Sequence, residues 1–138
     1  MGSVIDHSKF NAGQPVFRLL IFAGGVSDDI DTACSVNKPL AEELLKLKPS
    51  RRTMQLEKCF TRVLATFPEA PVIKDIDVMF NPAYEVDVMK VLISAYKQKP
   101  FTLVWPGRYE DGRLIYSNEN YQDYRTFEIN DYDIVCVI

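Results

Sequence analysis

The sequence predicts an α/β fold: a three-layer sandwich around a mainly parallel central sheet, in one domain over residues 1–138. Three observations lead there. Apolar runs of strand length alternate with segments whose apolar residues recur every three to four positions. The first run, residues 16–23 (VFRLLIFA), is apolar except at Arg18, the pattern of a strand buried on both faces of a parallel sheet. Prolines and glycines fall between the runs and not inside them, so they punctuate elements instead of breaking them.

Each element follows from its residues. Residues 16–23 form the first strand, and residues 27–31 read as a helical fragment too short to cross a sheet. Residues 33–36 suit a short second strand. Pro39 opens a helix over 40–47, with Leu40, Leu44, Leu45 and Leu47 as its apolar stripe. Lys48-Pro49-Ser50 stops it. The next helix spans 51–67, where Leu56, Phe60, Val63, Leu64 and Phe67 recur at helical spacing. Residues 72–80 (VIKDIDVMF) read as a strand ended by Asn81-Pro82. A helix over 86–96 presents Val88, Met89, Leu92, Ile93 and Tyr96. Residues 101–105 form a short strand before Pro106-Gly107, and Asp111-Gly112 turns the chain into 113–116. Residues 117–125 read as a tyrosine-rich surface loop, and 133–138 as the last strand. The expected core is Leu20, Ile21, Leu56, Phe60, Val63, Leu64, Leu92, Ile93, Val104 and Val135.

Composition narrows the functional classes. Apolar residues make up 47% and charged residues 25%, ordinary values for a globular domain large enough to bury a core. The net charge of −3 does not favour direct nucleic-acid binding. Arg51-Arg52, with Lys46, Lys48 and Lys58, reads either as a solvated helix end or as a small basic face. Cys34, Cys59 and Cys136 are odd in number and lack CxxC spacing, which suits a reducing cytoplasm better than a disulfide framework or a zinc site. His7 is the sole histidine and lies in a segment expected to fray, so histidine triads and multi-histidine metal sites are disfavoured. No run is long and apolar enough to span a membrane, and no signal peptide is read. Met1-Gly2-Ser3 is either native or an added remnant.

Three strings carry candidate chemistry, and a parallel sheet would gather them at its carboxyl edge. Gly24-Gly25 after a buried strand is how a phosphate-cradling loop begins, because glycine lets backbone N–H groups turn onto phosphate oxygens. Such a loop continues to a lysine and a Ser/Thr, whereas Gly25 is followed by Val26, Ser27, Asp28 and Asp29. Read alone, the pair is a turn. Asp75 and Asp77, two apart in a strand, share one face. An acid there can hold Mg²⁺, and a second can polarise a water. The alternative is two acids at an exposed strand end. Trp105 to Gly112 (WPGRYEDG) is either a turn and hairpin or a rigid mount from which Arg108 contacts a phosphate or a partner.

The strings IDVMFNP (76–82), LVWPGRYEDGRLIY (103–116) and YQDYR (121–125), with a weaker match over LAEELLKLKPSRR (40–52) and the first strand, resemble BrxF, the family of small P-loop proteins of type III BREX phage-defence systems. The resemblance covers most of the chain. It implies an AAA-like P-loop NTPase fold and a cytoplasmic ATPase-like subunit. Such a subunit binds ATP and Mg²⁺, contacts other BREX proteins and self-associates. By this resemblance Gly24 and Gly25 border the phosphates, Asp75 serves the metal and Asp77 the water. Arg108 is a sensor or reaches a neighbouring subunit. The family's first strand leads into a complete glycine-lysine-threonine loop and a helix. Its lack here leads to the expectation that roughly a dozen residues are omitted between Gly25 and Val26. The rival expectation is a non-enzymatic assembly scaffold of the same fold with a degenerate nucleotide site.

Overall fold

The computed structural model of the chain describes residues 2–10, 17–23 and 33–138. It is an α/β fold with two sheets. The large sheet has six strands: β1 (Ser3–Ile5), β2 (Leu19–Phe22), β3 (Cys34–Ser35), β4 (Val72–Lys74), β5 (Thr102–Val104) and β9 (Ile134–Val137). Their order is β1-β9-β2-β5-β4-β3, and every pairing is parallel. The small sheet is antiparallel: β6 (Arg108–Glu110), β7 (Arg113–Tyr116) and β8 (Arg125–Glu128). It lies wholly within the connection from β5 to β9.

Among the described residues, three α-helices accompany the large sheet. They are α1 (Asn37–Leu45), α2 (Arg52–Ala65) and α3 (Val88–Gln98), with α2 packed against both of the others. Their buried faces are those the periodicity predicts: Leu40 and Leu44 on α1, Leu56, Phe60, Val63 and Leu64 on α2, Met89 and Leu92 on α3. Leu45 departs from the expected stripe and is 69% exposed. Pro39 sits in the first turn of α1, where a missing N–H breaks no intrahelical bond. Two cations close helix ends. Arg52 donates to the carbonyls of Leu44 (3.0 Å) and Leu47 (3.2 Å), and Lys99 Nζ donates to those of Leu64 (2.6 Å) and Phe67 (2.8 Å). Arg52 is thereby withdrawn from any basic face. Asp87 caps α3 through the Lys90 N–H and accepts the Tyr132 hydroxyl at 2.9 Å.

The register explains the burial of the strands. Ile73, Leu103, Ile21 and Cys136 lie opposite one another in one row, and all four are fully buried. In the alternate row Val72, Thr102 and Leu20 are half-buried, while Val135 is buried. Strand β2 therefore alternates instead of being buried on both faces. Leu20, Val104 and Ile93 are half-buried where full burial was expected; the other expected core residues are buried.

Several expectations need correction. The strand expected over 72–80 ends at Lys74; Asp75 turns with φ 55°, and Asp77–Phe80 form a 3-10 turn. An alternating pattern through two acids looks like a strand from sequence, but the left-handed residue at 75 ends the ladder. The segment around His7, expected to fray, is held: Ser3–Ile5 pair with β9, and the His7 N–H donates to the Ile138 carbonyl at 2.7 Å. The hairpin reading of WPGRYEDG is the one found: Asp111 (φ 50°) and Gly112 (φ 78°) make a two-residue turn between Glu110 and Arg113 that pairs β6 with β7, and β8, to which the sequence assigned no strand, adds to the other edge of β7.

The WPGRYEDG string is thus a folding device. Trp105 Nε1 donates to the Ile115 carbonyl at 3.0 Å, and its ring packs edge-on against Phe80 and Phe127. A Cβ on Gly107 would overlap that same carbonyl oxygen. Gly107→Ala should accordingly unseat the hairpin, read as a lowered melting temperature with altered Trp105 fluorescence. Leu56→Ala, at a fully buried α2 position, should cost about 2–5 kcal/mol in urea unfolding. A loss below about 1 kcal/mol would contradict the packing described.

Candidate functional site

Because all six strands of the large sheet are parallel, their carboxyl ends share one edge. The chain leaves β2 toward β3 and leaves β5 toward β9, opposite directions across the sheet. The exits of β2 and β5 therefore form the topological switch point where α/β sheets bind ligands. The Trp105 N–H donates to the Phe22 carbonyl and the Ala23 N–H to the Val137 carbonyl, both at 2.9 Å, so the exits of β5, β2 and β9 are bonded side by side. Gly24 and Gly25 follow directly on Ala23 in sequence; both lie outside the described residues, as do the Gly25–Val26 junction and the expected 27–31 fragment.

Asp75 and Asp77 do come to this edge, from the exit of β4. Their strand is not adjacent to β2: β5 lies between the two. At about 4.8 Å per strand, β4 and β2 are roughly 10 Å apart. Asp75 Oδ2 accepts the Ser35 hydroxyl at 2.8 Å, and Ser35 ends β3. Asp77 is more heavily engaged. Its Oδ2 accepts from Asn37 Nδ2 at 3.1 Å, and its Oδ1 accepts the Tyr116 hydroxyl at 2.9 Å. Asn37 Oδ1 in turn accepts the Val78 N–H at 2.8 Å. The Tyr116 ring stacks on Phe80, with centroids 3.8 Å apart and planes 6° from parallel. Asp77 thus clamps three elements together: the start of α1, the exit of β4 and the small sheet. Its exposure to solvent does not free it, since both oxygens are occupied.

Arg108 does not join this cluster in any contact among the described residues. It stands at the start of β6, with its side chain 46% exposed. Its Nη1 donates to the Ser117 carbonyl at 2.9 Å, and its Nε meets Glu110 at 3.4 Å. Sequence reasoning missed Ser35, Asn37 and Tyr116, which stand 39 to 40 residues from the acids they bind. A pairing at that separation leaves no periodic trace.

The donor set limits what the edge can hold. Mg²⁺ needs six oxygens near 2.1 Å and commonly takes one or two carboxylates plus waters and phosphates. At this edge Asp75 has one hydrogen bond and can supply such a carboxylate, whereas both Asp77 oxygens are already engaged. Among the described residues, no group of three or more His, Cys, Asp or Glu side chains converges into a protein-only cage. A triphosphate fits less well. The sequence after Gly25 supplies Asp28 and Asp29 in place of the lysine that would neutralise it. The cysteines offer no activated thiol at Cys59 or Cys136, where burial raises the first and pushes the second up to about 12. A hollow of about 510 Å³ lined by Glu57, Lys58, Thr61, Arg62, Ala65 and Gln98 lies on the helices, away from the strand ends.

No family model, curated protein or solved structure matches this chain. Among the described residues, no helix is long and apolar enough to cross a membrane.

Two measurements test the clamp. Tyr116→Phe should cost about 1.5–2 kcal/mol, the lower part of the range for bonds to charged groups, because Asp77 is open to water. Combined with Asp77→Asn it should cost less than the sum of the two single changes; strict additivity would remove the clamp. Alkaline pH supplies the second. Burial raises the Tyr116 and Tyr132 hydroxyls, helped by their bonds to Asp77 and Asp87, and Tyr132 moves from the usual 10.0 to about 12. The folded state then holds protons that the unfolded chain has released. The stabilisation is complete below pH 10.0 and is lost as pH rises toward 12. Tyr116→Phe/Tyr132→Phe should flatten the fall in stability over that interval, measured by urea unfolding at each pH.

Proposed function

We propose that this chain is a P-loop ATPase-like, AAA-like subunit of a bacterial BREX anti-phage system. In this reading it is a cytoplasmic three-layer domain that binds ATP and Mg²⁺, contacts larger partner proteins of the system and self-associates. The observation that carries the reading is the strand order. The strand leading to Gly24-Gly25 is central, the strand ending at Asp75 lies two positions away, and one strand is interposed. Open parallel sheets bind ligands at such a switch point, outside the carboxyl ends of their strands. The roughly 10 Å between the two strands has room for a phosphate and a hydrated cation. In this assignment Gly24 and Gly25 border the phosphates and Asp75 faces the metal. Asp77 orders the edge through Asn37 and Tyr116 and orients a water with its remaining lone pairs. Arg108 serves the contact with a neighbour.

One specific observation favours a second reading, the same fold as an assembly scaffold without nucleotide. Residues 23–33, eleven in all, join β2 to β3 past two intervening strands. The other connections between strands of the large sheet that follow β2 use residues 36–71, 75–101 and 105–133. A parallel crossover takes a dozen or more residues even before a phosphate loop is added. Eleven residues can cross in extended form, at roughly 3.3–3.6 Å each, but they cannot hold a full loop and a helix.

Titration with a fluorescent ATP analogue and Mg²⁺ separates the two. Under the ATPase reading the wild-type chain binds, and Asp75→Asn keeps its melting behaviour while losing the Mg²⁺ dependence of binding. Absence of binding by a folded wild-type chain that still forms a complex with a methyltransferase and a large ATPase encoded beside it would establish the scaffold instead. Neither binding nor such a complex would end both readings.

A further inference from the structure

We propose that the hollow beside Arg108 is a docking site for a carboxylate side chain of a partner protein. The two strings that sequence analysis set apart, WPGRYEDG and the tyrosine-rich loop after β7, meet here. Arg108, Asn118, Glu119, Asn120 and Tyr121 line a space of about 450 Å³. The inference deepens the neighbour contact that the proposed function gives Arg108, and it is tested without nucleotide, since none of these residues touches Asp75 or Asp77.

The state of the guanidinium makes the case. Its Nη1 is tied down by the Ser117 carbonyl at 2.9 Å and by Asn118 Oδ1 at 3.5 Å. The opposite edge, Nε with Nη2, is the one that grips a carboxylate with two parallel bonds. Among the described residues that edge meets only Glu110, through Nε at 3.4 Å, and Nη2 donates to nothing. Both side chains of this pair are about half exposed, so the contact is weak and easily exchanged. Arg108 is therefore already oriented at the hollow, with Nη2 unengaged among the described residues.

The loop that completes the hollow is also set before any partner arrives. Ser117, at φ 67°, is held by its hydroxyl donating to Asp123 at 2.7 Å. The Tyr121 N–H bonds the Asn118 carbonyl and the Tyr124 N–H bonds the Tyr121 carbonyl. A partner would pay little ordering entropy here. Tyr121 is 62% exposed, and arginine and tyrosine dominate the energetics of protein interfaces. Charge selects the occupant. Glu110 pairs with Arg108 and Glu119 lines the hollow, so a monoanionic carboxylate meets less repulsion than a dianionic phosphate ester.

The test is titration of the ¹⁵N-labelled full chain with Ac-Gly-Glu-Gly-NH₂, followed by NMR. The glutamate peptide should shift the Arg108 Nε–H and the Asn118 and Asn120 side-chain amides, while Ac-Gly-Gln-Gly-NH₂ should not. Glu110→Gln removes the internal competitor and should tighten binding by up to about fivefold, the worth of an exposed ion pair. Arg108→Lys keeps the charge without the two-pronged edge and should weaken binding with Trp105 fluorescence unchanged. Absence of shifts at these groups, unchanged affinity in Glu110→Gln, or tighter binding of inorganic phosphate than of the peptide would each overturn the proposal.

Discussion

Every strand of the large sheet runs the same way, and the rest of the molecule follows from that constraint. Parallel strands cannot be joined by tight turns, so each connection must carry enough chain to return to the starting edge. Most of the helical and small-sheet mass of this protein is that return chain. The same constraint gathers all the strand exits at one edge, which is why residues as distant as Ser35, Asp75 and Trp105 are neighbours there. The passage from β2 to β3, residues 23–33, is shorter than the other connections of the large sheet and skips two strands.

Asp77 shows how an acid at a ligand-binding edge can serve architecture. Free carboxylates at strand exits suggest cation chemistry, but this one is shared among an asparagine, a buried tyrosine and, through the asparagine, a backbone N–H. The small sheet is seated against the large one through this bond and through the aromatic cluster of Phe80, Trp105, Tyr116 and Phe127. Asp75, with a single hydrogen bond among the described residues, is the less committed of the two acids and the better candidate to face a ligand.

The resemblance and the structure bear on different properties. The strings that carry the resemblance are mostly residues that fold the hairpin: Trp105 on the Ile115 carbonyl, Gly107 beneath it, and Asp111-Gly112 in the turn. Such residues can be similar between proteins for reasons of folding alone. Arg108 is the exception within the string, because its Nη2 has no partner among the described residues and its Nε only an exposed one.

The sequence by itself determined the α/β class, the three helices to within a few residues and most of their buried faces. Helical periodicity is a local signal, set by which residues share a face, and Leu56, Phe60, Val63 and Leu64 express it whatever lies opposite. It also determined that Asp75, Asp77 and the chain after Trp105 would fall at a common edge, because parallel topology implies it. Only the tertiary structure decided that the strand at 72 stops at Lys74, that β5 separates β4 from β2, and that β1 completes the sheet beside β9. Strand order, the left-handed turn at Asp75 and the bonds from Asn37 and Tyr116 to Asp77 depend on partners tens of residues away. No spacing within a single segment encodes such pairings; they arise when the packed sheet brings the donors and acceptors together.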